Sequence, residues 1–267
     1  MGKGDLRFLF LDVDGVILDN AMWEAESSRL VGAAFSELLG GDANVWAEHQ
    51  ERLWLRVWNR GNEEYTEALG LRRLNLSRWW DRLHADWVLQ LCEEVGVKAP
   101  RTFEERVDVA ERAFTNVYLN TRAVFPCAGA AIEALAQDFE IHTASGNPSW
   151  VIETLLTGMG IRELIGRPFG SDLVGFQKGH RTFHARILNE VRASPEESIV
   201  VDDHETPLLA AGKLGAKTVR VGGAGSGEFD LTIGSLSELP DAILNLDSSF
   251  FEDVNSNKCQ LKRRLDC

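Results

Sequence analysis

Short apolar segments that alternate with helical segments from Ala123 onward restrict the fold more than any other feature of this sequence. Each apolar segment is short enough to be one buried strand, and each precedes a segment in which apolar residues recur at helical spacing. Together with one apolar run near the start of the chain, the predicted strands are residues 6–11, 139–143, 198–201, 218–221 and 231–233. Strands that alternate with helices pair in parallel and bury both faces of their sheet. The sequence therefore predicts an α/β core built on a parallel sheet.

A long helical block interrupts this pattern directly after the first strand. Between residues 20 and 122, apolar side chains recur at helical spacing, as at Leu83, Trp87 and Leu91. Seven of the eight tryptophans lie in this block, which is therefore expected to have its own aromatic core. Trp79 and Trp80 are adjacent, so one is expected to face that core and the other a ligand cleft. The glycines expected to divide the block into several helices are Gly40, Gly41, Gly61, Gly70 and Gly96.

These boundaries predict three regions of the chain. Residues 1–19 and 123–246 form an α/β core domain, residues 20–122 form a helical cap domain, and residues 247–267 form a polar tail. Ligands of open α/β sheets bind beside the carboxyl ends of the strands. Because the helical block follows the first strand directly, we expect it to act as a lid over that end of the sheet.

Charge and cysteine content restrict the partners and the compartment. The formal net charge of −13 opposes attraction to nucleic acid and to anionic membranes. No apolar run approaches the ~20 residues that a membrane helix needs, and the N-terminal segment lacks the pattern of a signal peptide. Cys92, Cys127, Cys259 and Cys267 show no metal-binding spacing and are predicted to be free thiols. We therefore expect a cytoplasmic protein that binds neither nucleic acid nor membranes.

Two pairs of aspartates stand where predicted strands end. Asp12 and Asp14 follow the first strand, and Asp202 and Asp203 follow the strand of residues 198–201. A single aspartate at such a position is more often a turn or helix-cap residue. Two crowded pairs of carboxylates, however, repel each other unless a cation is near, and Mg²⁺ prefers oxygen ligands. We therefore interpret the four aspartates as a candidate magnesium site.

Two further segments could hold an anion. Thr143, Ala144 and Ser145 follow the second predicted strand, where hydroxyl and backbone N–H groups can bind phosphate oxygens. The same residue types are common in turns. Lys178 lies in the glycine-flanked segment 175–179, where a lone lysine is usually a solvated surface residue. Neither segment identifies a phosphate site without further evidence.

In their order along the chain, these segments resemble the four motifs of the haloacid dehalogenase (HAD) superfamily. Asp12-Val-Asp-Gly-Val resembles the first motif, Thr143 the second, Lys178 the third and Val200-Val-Asp-Asp the fourth. The resemblance covers roughly residues 5–246. It implies a Rossmann-like core, an inserted helical cap of the C1 type and a phosphatase that requires Mg²⁺.

The resemblance also assigns roles to the aspartates. Asp12 would attack phosphorus and form an aspartyl-phosphate, a known use of carboxylate nucleophiles. Asp14 would protonate the leaving group and then activate the hydrolytic water. Asp12, Asp14 through its backbone carbonyl, Asp203 and Asp202 would bind the metal, with Asp203 ranked above Asp202 as the direct ligand.

The remaining matched positions concern the substrate. Thr143, the N–H group of Ala144 and Lys178 would hold the transferring phosphoryl group. The implied partner is a small phosphorylated metabolite of unspecified identity. An exposed face of the aromatic helical block could also support a homodimer.

Four alternatives are weighed against the phosphatase. Dehalogenases and phosphonate hydrolases of the superfamily lack the aspartate that Asp14 supplies, so its presence favours phosphoryl transfer. Related sugar phosphomutases carry a histidine where this chain has Glu24, which weakens the mutase alternative without removing it. A non-catalytic HAD-like binding protein would have no reason to keep two acidic pairs and Lys178 together.

Overall fold

The computed structural model describes residues 6–70, 75–223 and 228–243, without the side chains of residue 62 and residues 64–70. The chain divides into two compact units, Met1–Asn20 with Ala123–Cys267 and Ala21–Arg122. We call the first the α/β unit and the second the helical unit. The predicted polar tail of residues 247–267 lies outside the described residues.

The α/β unit contains a six-stranded sheet. Its strands are β1 (Phe8–Leu11), β2 (Glu140–Ala144), β3 (Ile165–Phe169), β4 (Ser198–Asp202), β5 (Lys217–Val221) and β6 (Leu231–Ile233). The order across the sheet is β3-β2-β1-β4-β5-β6, and every pairing is parallel. The strand order reverses direction between β1 and β4, which is where a doubly wound sheet opens a crevice at the carboxyl ends of its strands. The predicted α/β fold class with a Rossmann-like parallel sheet is confirmed.

Helices follow most of these strands. The helices of the α/β unit are α5 (Ala128–Leu135), α6 (Ser149–Gly158), α7 (Ser171–Val174), α8 (Arg181–Val191), α9 (Glu205–Gly212) and α10 (Leu239–Ile243). Every residue of β1 and β4 is buried, as is typical of central parallel strands. Phe8, Phe10 and Val200 of these strands pack with Phe183 of α8 and Leu208 of α9 in one apolar cluster.

Sequence patterns did not predict β3. Its sequence, Ile165-Gly-Arg-Pro-Phe169, contains a glycine and a proline, which both disfavour a strand interior. The strand lies at the edge of the described sheet and pairs only with β2 there. At an edge, the missing N–H group of Pro168 removes no hydrogen bond from a central ladder. The other five strands lie within two residues of their predicted positions.

The helical unit is built from four long helices. They are α1 (Asn20–Leu39, which begins one residue before the unit), α2 (Ala43–Gly70), α3 (Leu76–Val95) and α4 (Phe103–Asn120). Local sequence sets several of their ends. The Asn75 side chain accepts a hydrogen bond from the Arg78 N–H group at the start of α3, and Gly96 ends that helix in the left-handed conformation. Thr102 and Glu105 form a reciprocal capping box at the start of α4.

Gly61 does not divide α2, contrary to expectation. The helix continues through Gly61 because the glycine serves packing. A Cβ atom there would lie 2.6 Å from Cδ1 of Leu83, and the Trp79 indole donates a hydrogen bond to the Gly61 carbonyl. The expectation that Trp79 and Trp80 face different surroundings is also wrong, since both are buried, with exposed fractions of 2% and 4%.

The state of the cysteines bears on the expected compartment. Cys92 is free and buried, whereas Cys127 is disulfide-bonded. The expectation of free thiols is therefore wrong for Cys127, and the cysteines give no support to a reducing compartment. Among the described residues, none of the helices combines the length and the apolar character needed to span a membrane.

Candidate active site

Strand register places the first and fourth motif segments side by side. Leu11, the last residue of β1, lies opposite Thr143 of β2 and Val201 of β4. The next residue, Asp12, donates its backbone N–H group to the Val201 carbonyl at 2.9 Å. Asp12 and Asp202 therefore lie together at the carboxyl edge of the sheet, next to the position where the strand order reverses.

Lys178 joins these two aspartates. Its Nζ atom donates to Oδ2 of Asp12 and lies 3.2 and 3.1 Å from the two carboxylate oxygens of Asp202. Both aspartates are almost completely buried, and the lysine side chain is 16% exposed. The three predicted residues thus form a buried cluster in which one positive charge faces two carboxyl groups.

The loop that carries Lys178 is held in place on both sides of it. The Phe176 ring stacks on the His180 ring at 4.8 Å, and the Arg186 guanidinium lies 4.7 Å from the centre of the Phe176 ring. Arg186 also donates to the Val174 carbonyl at 2.7 Å. These contacts anchor the segment between α7 and α8 and so fix where the lysine enters the cluster.

Burial and charge act in opposite directions on the ionisation of this cluster. Burial raises the pKa of Asp12, and the Lys178 charge opposes that effect. Burial, followed by the charge of Asp12, raises the pKa of Asp202 to about 8. Burial alone would lower the pKa of Lys178, but the charges of Asp12 and Asp202 outweigh it and raise that pKa. Lys178 is therefore charged at neutral pH. Its single positive charge can neutralise only one of the two carboxylates.

Asn147 holds the second aspartate of the first motif, a role that the sequence patterns did not reveal. Its Nδ2 atom donates to Oδ2 of Asp14 at 2.8 Å. The loop that presents Asn147 is fixed because the Asn147 carbonyl accepts a hydrogen bond from the Ser171 N–H group at 3.1 Å. Burial, followed by the charge of Asp12, raises the pKa of Asp14 to about 7. Asp14 is thus oriented at the sheet edge and is partly protonated at neutral pH.

The raised pKa of Asp14 predicts how stability changes with pH. The folded protein holds a proton on Asp14 up to about pH 7, whereas the unfolded chain releases it near the ordinary value of 3.8. The free energy of unfolding in the presence of chelator should therefore fall as pH rises from about 4 to about 7. Asp14→Asn removes this contribution, so the variant should be more stable than the wild type at pH 8 and similar to it at pH 4. Urea unfolding at both pH values measures the difference, and an equal effect of the substitution at both would contradict the assignment.

Three carboxyl groups at this edge are arranged to accept a cation. One oxygen from each of Asp12, Asp202 and Asp203 lies within 4.8 Å of the others. Oδ1 of Asp12 and Oδ1 of Asp203 are buried without a hydrogen-bond donor among the described residues, and the Nε2 atom of His204 is 3.8 Å from the latter. Buried carboxylate oxygens without donors are costly unless a cation satisfies them. The donor set is one that Mg²⁺ prefers.

Gly15 allows Asp203 to approach the first motif. Its φ angle is +74°, and a Cβ atom at this position would lie 2.1 Å from Oδ2 of Asp203. Gly15→Ala should therefore displace the Asp203 carboxylate and weaken Mg²⁺ binding, in addition to a backbone cost of roughly 1–2 kcal/mol.

Gly160→Ala is the matched control for this prediction. Gly160 has a φ angle of +73°, but nothing lies within 4 Å of its Cβ position. Denaturant unfolding should show a backbone cost in both variants, whereas calorimetry should show weaker Mg²⁺ binding only in Gly15→Ala. Equal Mg²⁺ affinity in the two variants would contradict the assignment of Asp203 to the metal.

A known protein family matches the part of the chain that contains the aspartate cluster. The family described as haloacid dehalogenase-like hydrolase matches residues 6–215. The chain belongs to this family. The match includes the segments of β1, β2 and β4, and also the Lys178 loop.

Solved structures share the fold of this HAD-like hydrolase. The HAD-hydrolase YfnB from Bacillus subtilis, bound to magnesium, is 18% identical over 91% of this chain and 100% of that chain, with a TM-score of 0.61. The defluorinating L-2-haloacid dehalogenase Rha0230 is 17% identical over 89% of this chain and 94% of that chain, with a TM-score of 0.62.

A third solved structure is the L-2-haloacid dehalogenase from Xanthobacter autotrophicus with chloropropionic acid covalently bound. It is 14% identical over 91% of this chain and 100% of that chain, with a TM-score of 0.59. No curated protein matches the sequence. At these identities the likenesses show a shared fold.

The second-motif residues of the HAD-like hydrolase lie next to Asp12 and are buried. The Thr143 hydroxyl donates to the Phe169 carbonyl of β3 at 3.3 Å. Because a hydroxyl has one proton, Thr143 must turn away from this carbonyl to donate to a phosphate. Ser145 accepts a hydrogen bond from the Asn147 N–H group at 3.2 Å. Ala144 is also buried, and the phosphate-binding roles of Thr143 and Ala144 stay predictions.

An open cleft borders the sheet edge that carries the aspartate cluster of the HAD-like hydrolase. Its volume is about 520 Å³, and Lys178, Asp203, His204 and Thr206 contribute to its walls. Arg220 lines the same cleft and pairs with Glu205 at 2.5 Å. Acidic and basic groups therefore face the solvent beside the aspartate cluster, in space sufficient for a small ligand.

Proposed function

We propose that this HAD-like hydrolase is a Mg²⁺-dependent phosphatase of the branch with a C1 helical cap, and that it hydrolyses a small phosphomonoester through an aspartyl-phosphate on Asp12. The observation that carries the proposal is the different surroundings of two neighbouring carboxyl groups. Asp12 is paired with Lys178, whereas Asp14 has only the neutral amide of Asn147 as its hydrogen-bond donor among the described residues. Such a difference separates a nucleophilic carboxylate from a carboxylic acid.

In the first step, a carboxylate oxygen of Asp12 attacks phosphorus and the bond to the leaving oxygen breaks. Asp14, in its protonated form, gives its proton to that oxygen, so the product leaves as a neutral alcohol. The Lys178 charge balances the negative charge that Asp12 and the phosphoryl group bring together. Asp12, Asp202 and Asp203 would hold Mg²⁺, which supplies further positive charge beside the phosphoryl oxygens when bound.

In the second step, water replaces Asp12 on phosphorus. Asp14, now ionised, takes a proton from the water, and the bond between phosphorus and the Asp12 oxygen breaks. Inorganic phosphate forms, and both aspartates return to their starting states. Asn147 would keep the Asp14 carboxyl group oriented through both proton transfers.

The solved dehalogenases raise a second candidate activity, and the chemistry of Asp14 argues against it. A dehalogenase breaks a carbon–halogen bond, and a halide ion needs no proton in order to leave. A carboxyl group whose pKa is raised to about 7 therefore has no task in halide release. In phosphoester hydrolysis, by contrast, the Asp14 carboxyl group can protonate the alkoxide as it leaves phosphorus.

One assay separates these activities. Purified protein is incubated with an aryl phosphate and a panel of small phosphomonoesters, with Mg²⁺ and with chelator, and both inorganic phosphate and halide from 2-haloacids are measured. We expect phosphate release that requires Mg²⁺ and no halide release. Metal-independent halide release would establish a dehalogenase and overturn the proposal.

The remaining alternatives predict other outcomes of the same assay. A phosphomutase would convert a sugar phosphate to its isomer, would require a bisphosphorylated activator and would release little phosphate. A non-catalytic binding protein would release neither product, while still binding a phosphorylated ligand. Either result would contradict the phosphatase proposal.

A further inference from the structure

The helical unit contains a cavity of its own. It has a volume of about 250 Å³ and lies among α1, α2, α3 and α4. Five aromatic residues contribute to its wall: Trp23, Trp54, Trp87, Phe114 and Tyr118. A cavity of this size is just below the usual range for ligand sites and suits a ligand smaller than a drug-sized molecule.

The rings are held firmly by one another. Trp23 and Tyr118 are stacked at 4.8 Å, and Trp87 and Phe114 are stacked at 5.0 Å. Trp54 meets the Trp87 ring edge to face at 5.3 Å. Because these contacts order the rings, aromatic side chains line the cavity before any ligand enters it.

The Trp87 indole supplies a polar feature. The side chain is 1% exposed, yet its Nε1 atom has no hydrogen-bond acceptor among the described residues. A buried indole N–H group usually has a partner, and leaving one unpaired costs free energy. A ligand with an oxygen acceptor would supply that partner once a small turn of the ring brings the Nε1 atom to the cavity that Trp87 lines.

Carboxyl groups supply the electrostatic feature. Glu24 and Glu51 contribute to the cavity wall and are exposed. Neither of them forms an ion pair within the part of the chain that the structure describes, and no described lining residue is basic. Aromatic faces attract cations through their quadrupoles, and the two carboxylates act in the same direction. The chain's net charge of −13 also favours the approach of a cation.

We propose that this cavity of the helical unit binds a small organic cation, an alkylammonium that also carries a hydroxyl or carbonyl oxygen. The aromatic rings and the carboxylates of Glu24 and Glu51 hold the cationic group, and the Trp87 N–H group donates to the oxygen. The inference concerns binding and does not rest on the phosphatase proposal.

Choline is the probe, and its uncharged carbon isostere, in which a tert-butyl group replaces the trimethylammonium group, is the matched control ligand. Calorimetry on the full chain should show choline binding about tenfold tighter than the isostere, given what cation–π and charge contacts contribute. Equal affinity for the two would show an apolar cavity without cation recognition. No binding of either would show that the cavity is not a ligand site.

Variants locate the site. The exposed pair Glu24→Gln and Glu51→Gln should together weaken choline binding about tenfold. The control pair Glu37→Gln and Glu104→Gln makes the same change of charge at exposed positions that do not line the cavity, and should leave binding unchanged. An equal loss in this control pair would assign the effect to bulk charge and overturn the proposal.

The indole N–H resonances give a separate readout. Trp87→Phe retains an aromatic ring, removes the indole N–H group and identifies its resonance among those of the eight tryptophans. In the wild type, choline should shift this resonance. An unshifted Trp87 resonance under saturating choline would place the ligand elsewhere.

Discussion

Replacing Asp12 with asparagine is expected to reduce phosphate release by at least about 10⁴-fold, the order of loss seen when a catalytic nucleophile is removed. The amide oxygen of asparagine is a much weaker nucleophile than a carboxylate. The change also places an uncharged group against Lys178, which contacts Asp12 in the wild type. The loss should appear in kcat for every phosphomonoester that the wild type hydrolyses, because the same attacking atom serves them all.

Detection of the covalent aspartyl-phosphate tests the role of Asp12 directly. Acid-quenched wild-type protein should carry labelled phosphate that hydroxylamine removes, as an acyl phosphate does, and Asp12→Asn should carry none. Asp138→Asn is the control, since Asp138 is an exposed aspartate before β2 and its replacement should leave turnover unchanged. Turnover by Asp12→Asn within tenfold of the wild type would show that another group attacks phosphorus.

The second large effect concerns Lys178. Lys178→Met keeps most of the aliphatic stem but leaves Asp12 and Asp202 without their shared cation. Breaking a buried ion pair by removing one partner typically costs about 3–5 kcal/mol. We expect a loss of that order in the free energy of unfolding at pH 8 with chelator present, together with loss of phosphatase turnover.

The stability cost of Lys178→Met is expected to depend on pH. Lys178 is charged throughout the range from pH 5 to pH 8 because its pKa is raised, so the change between these values comes from the carboxyl groups. Burial raises the pKa of Asp12 and of Asp202, and both protonate more readily once the lysine is gone. The cost of Lys178→Met should therefore be smaller at pH 5 than at pH 8.

Lys213→Met is the matched control for Lys178→Met. Lys213 is exposed at the end of α9, so its replacement changes net charge equally without touching the cluster. Urea unfolding of both variants at both pH values measures the comparison. A Lys178→Met variant as stable as Lys213→Met at pH 8 would mean that Asp12 and Asp202 do not depend on the lysine.

The central strands and the aspartates were predictable because both leave strong local patterns. The apolar segments of β1 and β4 are buried along their whole length, and each ends in a pair of acidic residues. Parallel strands bring their carboxyl ends to one edge of a sheet. The placement of Asp12 and Asp202 at one edge therefore followed from parallel pairing, whereas the adjacency of β1 and β4 is a finding of the structure.

Two other features could not be predicted because they depend on contacts distant in sequence. In the sequence, Asn147 looks like any other loop residue. Its role is visible only in the fold, where its amide lies 2.8 Å from Asp14. Gly61 looks like a helix breaker until Leu83 and Trp79 are packed against it. In both cases a neighbour from another segment decides the role of the residue, and local patterns carry no information about that neighbour.

The two outer strands of the described sheet have a consequence for self-association. An exposed strand edge is a template on which a second chain can add a strand. Here one outer strand, β3, contains Pro168, which cannot donate a hydrogen bond, and the charged Arg167. The other, β6, has only three residues. Short, charged or proline-containing edges pair poorly with other chains, so neither edge of the described sheet favours joining two copies by continuing one sheet into the next, and a dimer that avoided these edges would need side-chain packing instead.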